Sequence, residues 1–123
     1  MDLQKFKFKK DQYQDHRGGW SKFLNIYCDH CGEHVLLYQK DGPGPLKRMY
    51  IDRIFAPQEI SSLVDKDLKD IGELRCKTCD RLIGIPANYE KENRKAFLLL
   101  SYAFIKKIGR GIYPPEIKKV ETK

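Results

Sequence analysis

Four cysteines fall in two pairs of identical spacing, Cys28-Asp29-His30-Cys31-Gly32 and Cys76-Lys77-Thr78-Cys79-Asp80, and the chain has no others. Two intervening residues let a tight turn set both sulfurs on one side, about 2.3 Å from a shared ion, with the turn's amides aimed at the thiolates. Two such pairs match one tetrahedral site whose metal ligands are Cys28, Cys31, Cys76 and Cys79. Soft sulfur donors in that geometry suit zinc or iron, and zinc is the usual ion of closed sites, so one structural Zn2+ is the expected cofactor. Four protein ligands leave no position for water, and the roughly 10–16 kcal/mol of binding energy would act as folding energy.

Other chemistry fits these residues less well. A thioredoxin-like redox pair needs one Cys-x-x-Cys at a helix N-terminus within a βαβ unit, and neither pair has that setting. Disulfides need an oxidising compartment. His30 and His34 could each replace a thiol as ligand, a substitution that four available cysteines make unnecessary; His16 has no visible partner. No Ser-His-Asp order, phosphate-cradling glycine loop or paired carboxylate site stands out, so the chain is not expected to be an enzyme. Glu90 and Glu92 flanking Lys91 read as a solvated turn.

The elements that must position the thiols read as mainly β (α+β). WSKFLNIY, residues 20–27, is rich in strand formers and delivers Cys28. VLLYQ (35–39) and RMYIDRIF (48–55) read as a strand pair across KDGPGP, whose two Gly and two Pro in six positions mark a turn. Pro57 to Ile71 carries Ile60, Leu63, Val64, Leu68 and Ile71 at helical spacing and predicts one short helix. RLIGIPANY (81–89) leaves the second pair as a strand with Pro86 at an edge or interruption. Ala96 to Ile108 is apolar on every face, which periodicity alone cannot assign. The expected organisation is an N-terminal arm (1–19), a single zinc-binding β domain (20–108) with an insertion (32–75), and a basic flexible tail (109–123).

A chain of 123 residues with 41% hydrophobic and 33% charged residues fits one domain, too apolar for wholesale disorder and too charged for a membrane protein. No apolar run approaches the roughly 18–20 residues of a membrane span, and MDLQKFKFKK lacks the apolar region of a secretory signal. A reducing cytoplasmic or nuclear compartment is therefore expected. The net charge of +7 is uneven: residues 94–123 hold eight basic residues against Glu116 and Glu121, so nearly all the excess lies there.

The order CDHCGEHV, GPGPLKRMYIDRI, ELRCKTCDRLIGIPANY and AFLLLSYAFIKKI resembles Yippee-like proteins of the β-tent superfamily over about residues 24–108. That family shares the two Cys-x-x-Cys pairs, a Gly-rich hairpin between them, a Gly about five residues past the second pair (here Gly84), and a last strand rich in Phe, Leu and Lys. The resemblance implies two antiparallel sheets of zinc-ribbon or β-tent type pinned by the two knuckles, and it makes the 96–108 run a strand. It carries over no activity. Reductases of this fold need a further cysteine, and cereblon-type pockets need a tryptophan cage, whereas Trp20 is the only Trp.

Two functions remain. The first is a non-catalytic zinc module contacting nucleic acid or a ribonucleoprotein through Lys106, Lys107, Arg110, Lys118 and Lys119, helped by Lys47, Arg48 and Arg53, with Tyr50, Tyr89, Tyr102 or Tyr113 stacking on bases where exposed. The plainer role of those tyrosines is core or rim packing, that of Arg48 and Arg53 pairing with Asp52 or Asp41, and that of the basic excess solubility. The second is a protein-interaction adaptor that docks through KDGPGPLKR and the short helix. No membrane partner is expected.

Overall fold

The computed structural model describes residues 3–122; Met1, Asp2 and Lys123, the extremes of the expected arm and tail, lie outside the described residues. The chain runs β1 (Gln4–Lys5), α1 (Gln12–His16), β2 (Ser21–Cys28), β3 (His34–Asp41), β4 (Arg48–Tyr50), β5 (Ile54–Ala56) and α2 (Gln58–Ser61). It continues through β6 (Leu74–Arg75), β7 (Leu82–Tyr89), β8 (Arg94–Leu99), β9 (Phe104–Gly109) and β10 (Ile112–Tyr113). Two four-stranded antiparallel sheets, ordered β5-β3-β2-β9 and β4-β8-β7-β6, carry the mainly β fold that the residue patterns predict.

Between the sheets lies one core, with Ile26, Leu36, Met49 and Ile83 fully buried and Phe97 at 1% exposure. Val35 to Asp41 is buried throughout, because both faces of β3 are covered. Packed on the second face are Phe6 and Phe8: the Phe8 ring stacks on Phe23 at 4.3 Å and Phe6 on Phe55 at 5.3 Å. The arm is thus a cover and not a loose leader. It is anchored by pairing of β1 with β10 and contains α1, capped by the Asp11 carboxylate on the amides of Tyr13 and Gln14.

Three local expectations are corrected. VLLYQ and Arg48–Tyr50 do not pair across KDGPGP: β4 pairs with β8 in the second sheet, and the chain then crosses at a 3-10 turn, Ile51–Arg53, so that β5 joins β3. The 96–108 run is two strands, not one. It changes sheets at residues 100–103, where the Ala103 amide donates to the Leu100 carbonyl at 3.0 Å. Only the first segment lies partly in the core, through Ala96 and Phe97; β9 has no fully buried residue, and Ile108 is 75% exposed.

The helical stretch from Pro57 breaks into α2 and two 3-10 turns, Ser62–Asp65 and Leu68–Asp70, separated by extended backbone at Lys66. Ser61, Ser62, Asp65 and Asp67 are poor helix formers, and their only apolar support is a short face. Ile71 is buried and Ile60 and Leu63 pack against the core, so the intended face is kept without the helix. Lys95 Nζ donates to the exposed carbonyls of Val64 and Lys66 that the break leaves over.

Candidate metal centre

Each sheet contributes one cysteine pair. Cys28 ends β2 and Cys31 lies in the turn to β3; Cys76 follows β6 and Cys79 precedes β7. The two turns repeat each other bond for bond. The Gly32 amide donates to the Cys28 carbonyl at 2.9 Å and the Asp80 amide to the Cys76 carbonyl at 2.8 Å. The Cys28 amide donates to Glu33 at 2.9 Å and the Cys76 amide to Arg81 at 2.8 Å. Gly32 (φ +80°) and Asp80 (φ +66°) hold the left-handed conformation that closes each turn.

All four Sγ atoms lie within 4.8 Å of one another, with Cys28 and Cys79 at 3.6 Å and Cys31 and Cys76 at 3.5 Å. A tetrahedral ion about 2.3 Å from each sulfur sets neighbouring sulfurs about 3.8 Å apart, so the set fits one metal ion. No disulfide joins them. The amides of His30 and Cys31 point at the Cys28 thiol, that of Glu33 at Cys31, and those of Thr78 and Cys79 at Cys76. Burial pushes the Cys28 thiol up and Cys31 to about 12, whereas at Cys76 the amides and the thiols of Cys31 and Cys79 outweigh the burial that opposes them and bring it below the usual thiol value. Thiols pushed up in this way need a cation to become ligands, and this donor set suits zinc.

Neither knuckle histidine joins the cluster. His30 is exposed. His34 donates from Nε2 to Asn25 Oδ1 at 2.8 Å and lies edge-on to Tyr27, and burial lowers its pKa to about 4. Asp29 and Arg81, one from each turn, approach to 2.8 Å as an ion pair whose Arg81 N–H is not aligned on the oxygen.

Residues 117–120, within the segment expected to be a flexible tail, line the first knuckle. Lys118 accepts from the His34 amide at 3.1 Å, the Val120 amide donates to Gly32 at 2.9 Å, and the Tyr27 hydroxyl donates to the Ile117 carbonyl at 2.6 Å. A β-carbon on Gly32 would meet the Val120 carbonyl oxygen at 2.0 Å. No apolar periodicity in this charged stretch announces the contact, because backbone groups make it.

The basic residues scatter. Lys106 and Lys107 are exposed on β9, an edge strand, and Arg110, Lys118 and Lys119 are exposed beyond it, Arg110 paired with Glu116 at 2.7 Å. Arg53 is not available to a partner. It is 1% exposed, with Nε 2.9 Å from Asp41 and Nη2 2.6 Å from Asp11, so two carboxylates balance its desolvation. Lys47 is exposed, and Arg48 lies over the Tyr89 ring at 4.2 Å. Among the tyrosines, Tyr50 is buried, Tyr89 and Tyr113 are half-buried, and Tyr102 is exposed. Two cations that the residue patterns did not single out, Arg17 and Lys40, lie with Lys47 and Arg48 around one cavity. Among the described residues, no helix is long and apolar enough to cross a membrane. No protein-family model matches this chain, no curated protein matches it, and no solved structure matches its fold.

Proposed function

We propose that this chain is a non-catalytic zinc module that contacts nucleic acid through Lys106, Lys107, Arg110, Lys118 and Lys119. Zinc held by four thiolates has no open position, so its chemistry here is structural: it ties the two sheets at their knuckles. The arrangement of one knuckle per sheet supports the likeness to β-tent domains of the Yippee-like kind. The observation that carries the nucleic-acid reading is that Lys106, Lys107, Lys118 and Lys119 are exposed and have no carboxylate partner among the described residues. Cations on an edge strand and an adjoining extended segment can follow a phosphate backbone, and exposed Tyr102 could stack on a base.

The test is binding of a labelled single-stranded oligonucleotide as salt is varied. Replacing Lys106, Lys107, Lys118 and Lys119 with Ala should flatten the slope of log K against log salt by about 3. Affinity unchanged between about 50 and about 300 mM salt would overturn the reading. Partners captured by the full chain that survive nuclease would favour the adaptor instead.

A further inference from the structure

A cavity of about 300 Å³ lies beneath the KDGPGP turn, and its polar walls are Arg17, Tyr38, Lys40, Lys47, Arg48 and Tyr50. Its charges do not balance. Asp41, the one carboxylate on the wall, is already spent on Arg53 at 2.9 Å, Ser21 at 2.6 Å and Gln39 at 2.8 Å. Arg17 is matched by Glu92, which accepts from both of its terminal nitrogens at 2.8 and 3.0 Å. Lys40, only 7% exposed, donates to nothing but the Gly42 carbonyl at 2.9 Å. Lys47 and Arg48 have no carboxylate partner among the described residues, and Arg48 Nε is buried with no acceptor.

Two neutral donors join them. The Tyr38 hydroxyl accepts from the Tyr50 amide at 3.0 Å and the Tyr50 hydroxyl accepts from Arg17 at 3.1 Å, yet neither O–H proton has an acceptor among the described residues. Tyr38 is only 2% exposed. Buried donors are ordinarily satisfied, yet the two tyrosine hydroxyls and Arg48 Nε have no acceptor among the described residues, and Lys40 and Lys47 on the same wall form no ion pair. The field is stronger still: Lys22 and Lys106 lie close enough to Lys40 to add to the burial that lowers its pKa.

The wall is built to hold its shape. Gly42 (φ +69°) donates from its amide to Trp20 at 2.9 Å, and a β-carbon there would meet the Arg17 carbonyl oxygen at 2.2 Å, so the turn is pressed onto the end of the arm. Pro43, Pro45 and Leu46 also line the cavity and give it an apolar part. Its volume is at the lower end of small-molecule sites, roughly 300–1,000 Å³, and an inorganic anion would leave that apolar part empty.

We infer that this cavity is a binding site for a phosphate monoester, its dianion taken by Lys40, Lys47, Arg48 and the two tyrosine hydroxyls, its organic group lying against Pro45 and Leu46. Lys106 of the proposed nucleic-acid surface adds to the field at Lys40, whereas Lys107, Lys118 and Lys119 do not line the cavity, so the two sites are tested through different residues.

The test is calorimetric titration of the metal-loaded full chain with phenyl phosphate, and separately with inorganic phosphate. Phenyl phosphate should bind with a Kd below about 1 mM, and Arg48→Gln and Lys40→Gln should each weaken it by roughly tenfold or more. Thermal melts would establish first whether each variant is folded; should Lys40→Gln not fold, Arg48→Gln carries the test. Weaker binding of inorganic phosphate supports the ester, and equal binding supports the anion site with free phosphate as its ligand. Lys107→Ala/Lys118→Ala/Lys119→Ala should leave the affinity within about twofold, so loss of nucleic-acid binding and loss of this site are read separately. No heat with either ligand, or affinity unchanged in Arg48→Gln, overturns the proposal.

Discussion

Gly32 and Asp80 occupy the same left-handed position, one residue past the second cysteine of their respective knuckles, but the Val120 carbonyl oxygen lies 2.0 Å from where a β-carbon on Gly32 would sit, whereas Asp80 already carries one. The two positions should therefore respond unequally to substitution. Asp80→Gly removes a side chain from strained backbone and should change stability by no more than about 1 kcal/mol, in either direction. Gly32→Ala must displace residues 118–120 or open the turn, and should cost about 2 kcal/mol or more by chemical denaturation. Equal effects would show that the tail does not press on the first knuckle in solution.

Metal removal should loosen the entire domain, because an ion held by the four thiols would join turns from two sheets that no strand pairing connects. Exhaustive chelation, or Cys76→Ser, should abolish the cooperative melt, and native mass should fall by one metal ion on denaturation. A cooperative transition surviving chelation at an unchanged temperature would refute the structural role.

Arg53 offers a test of the buried network independent of the metal. Arg53→Met leaves Asp41 buried without its cation and should destabilise by about 3–5 kcal/mol. Adding Asp41→Leu removes the orphaned charge and should recover part of that loss. A double variant less stable than the single would show that Asp41 is held by Ser21 and Gln39 and not by Arg53.

The Glu92 carboxylate carries a pH signature. Arg17 on both oxygens holds its pKa below the usual 4.5, burial opposing. The unfolded chain therefore binds the proton first, and the stabilisation is present above pH 4.5 and lost as pH falls through the folded value. The stability gap between the native chain and Glu92→Gln should accordingly shrink on acidification below about pH 5. Metal release affects both proteins alike and drops out of the difference. A gap that widened with acid would contradict the ion pair.

Much of the metal centre was legible in the residues themselves. Spacing within each cysteine pair is a local property: two residues between thiols make one turn, and the residue after the second thiol must tolerate positive φ, as Gly32 announces and Asp80 conceals. Strand patterns at WSKFLNIY and VLLYQ were legible for the same reason, since pleating acts over a few residues. The run AFLLLSYAFIKKI was not. Its apolar composition suggests burial on all sides, yet Leu98, Leu100 and Ile108 are exposed, and composition does not say which sheet receives each half.

By itself, then, the sequence determined four thiols in two turns, a mainly β chain, and a basic excess near one end. Tertiary structure alone decided that Arg53 is a buried strut and not a surface cation, that the tail closes on Gly32, and that Arg17 and Lys40 meet Arg48 around a cavity. The physical reason is range. A turn's geometry is set by neighbours along the chain, but the neutralisation of a charge depends on which carboxylate the fold brings to it, and Asp11, Asp41 and Glu92 reach their arginines across 42, 12 and 75 residues.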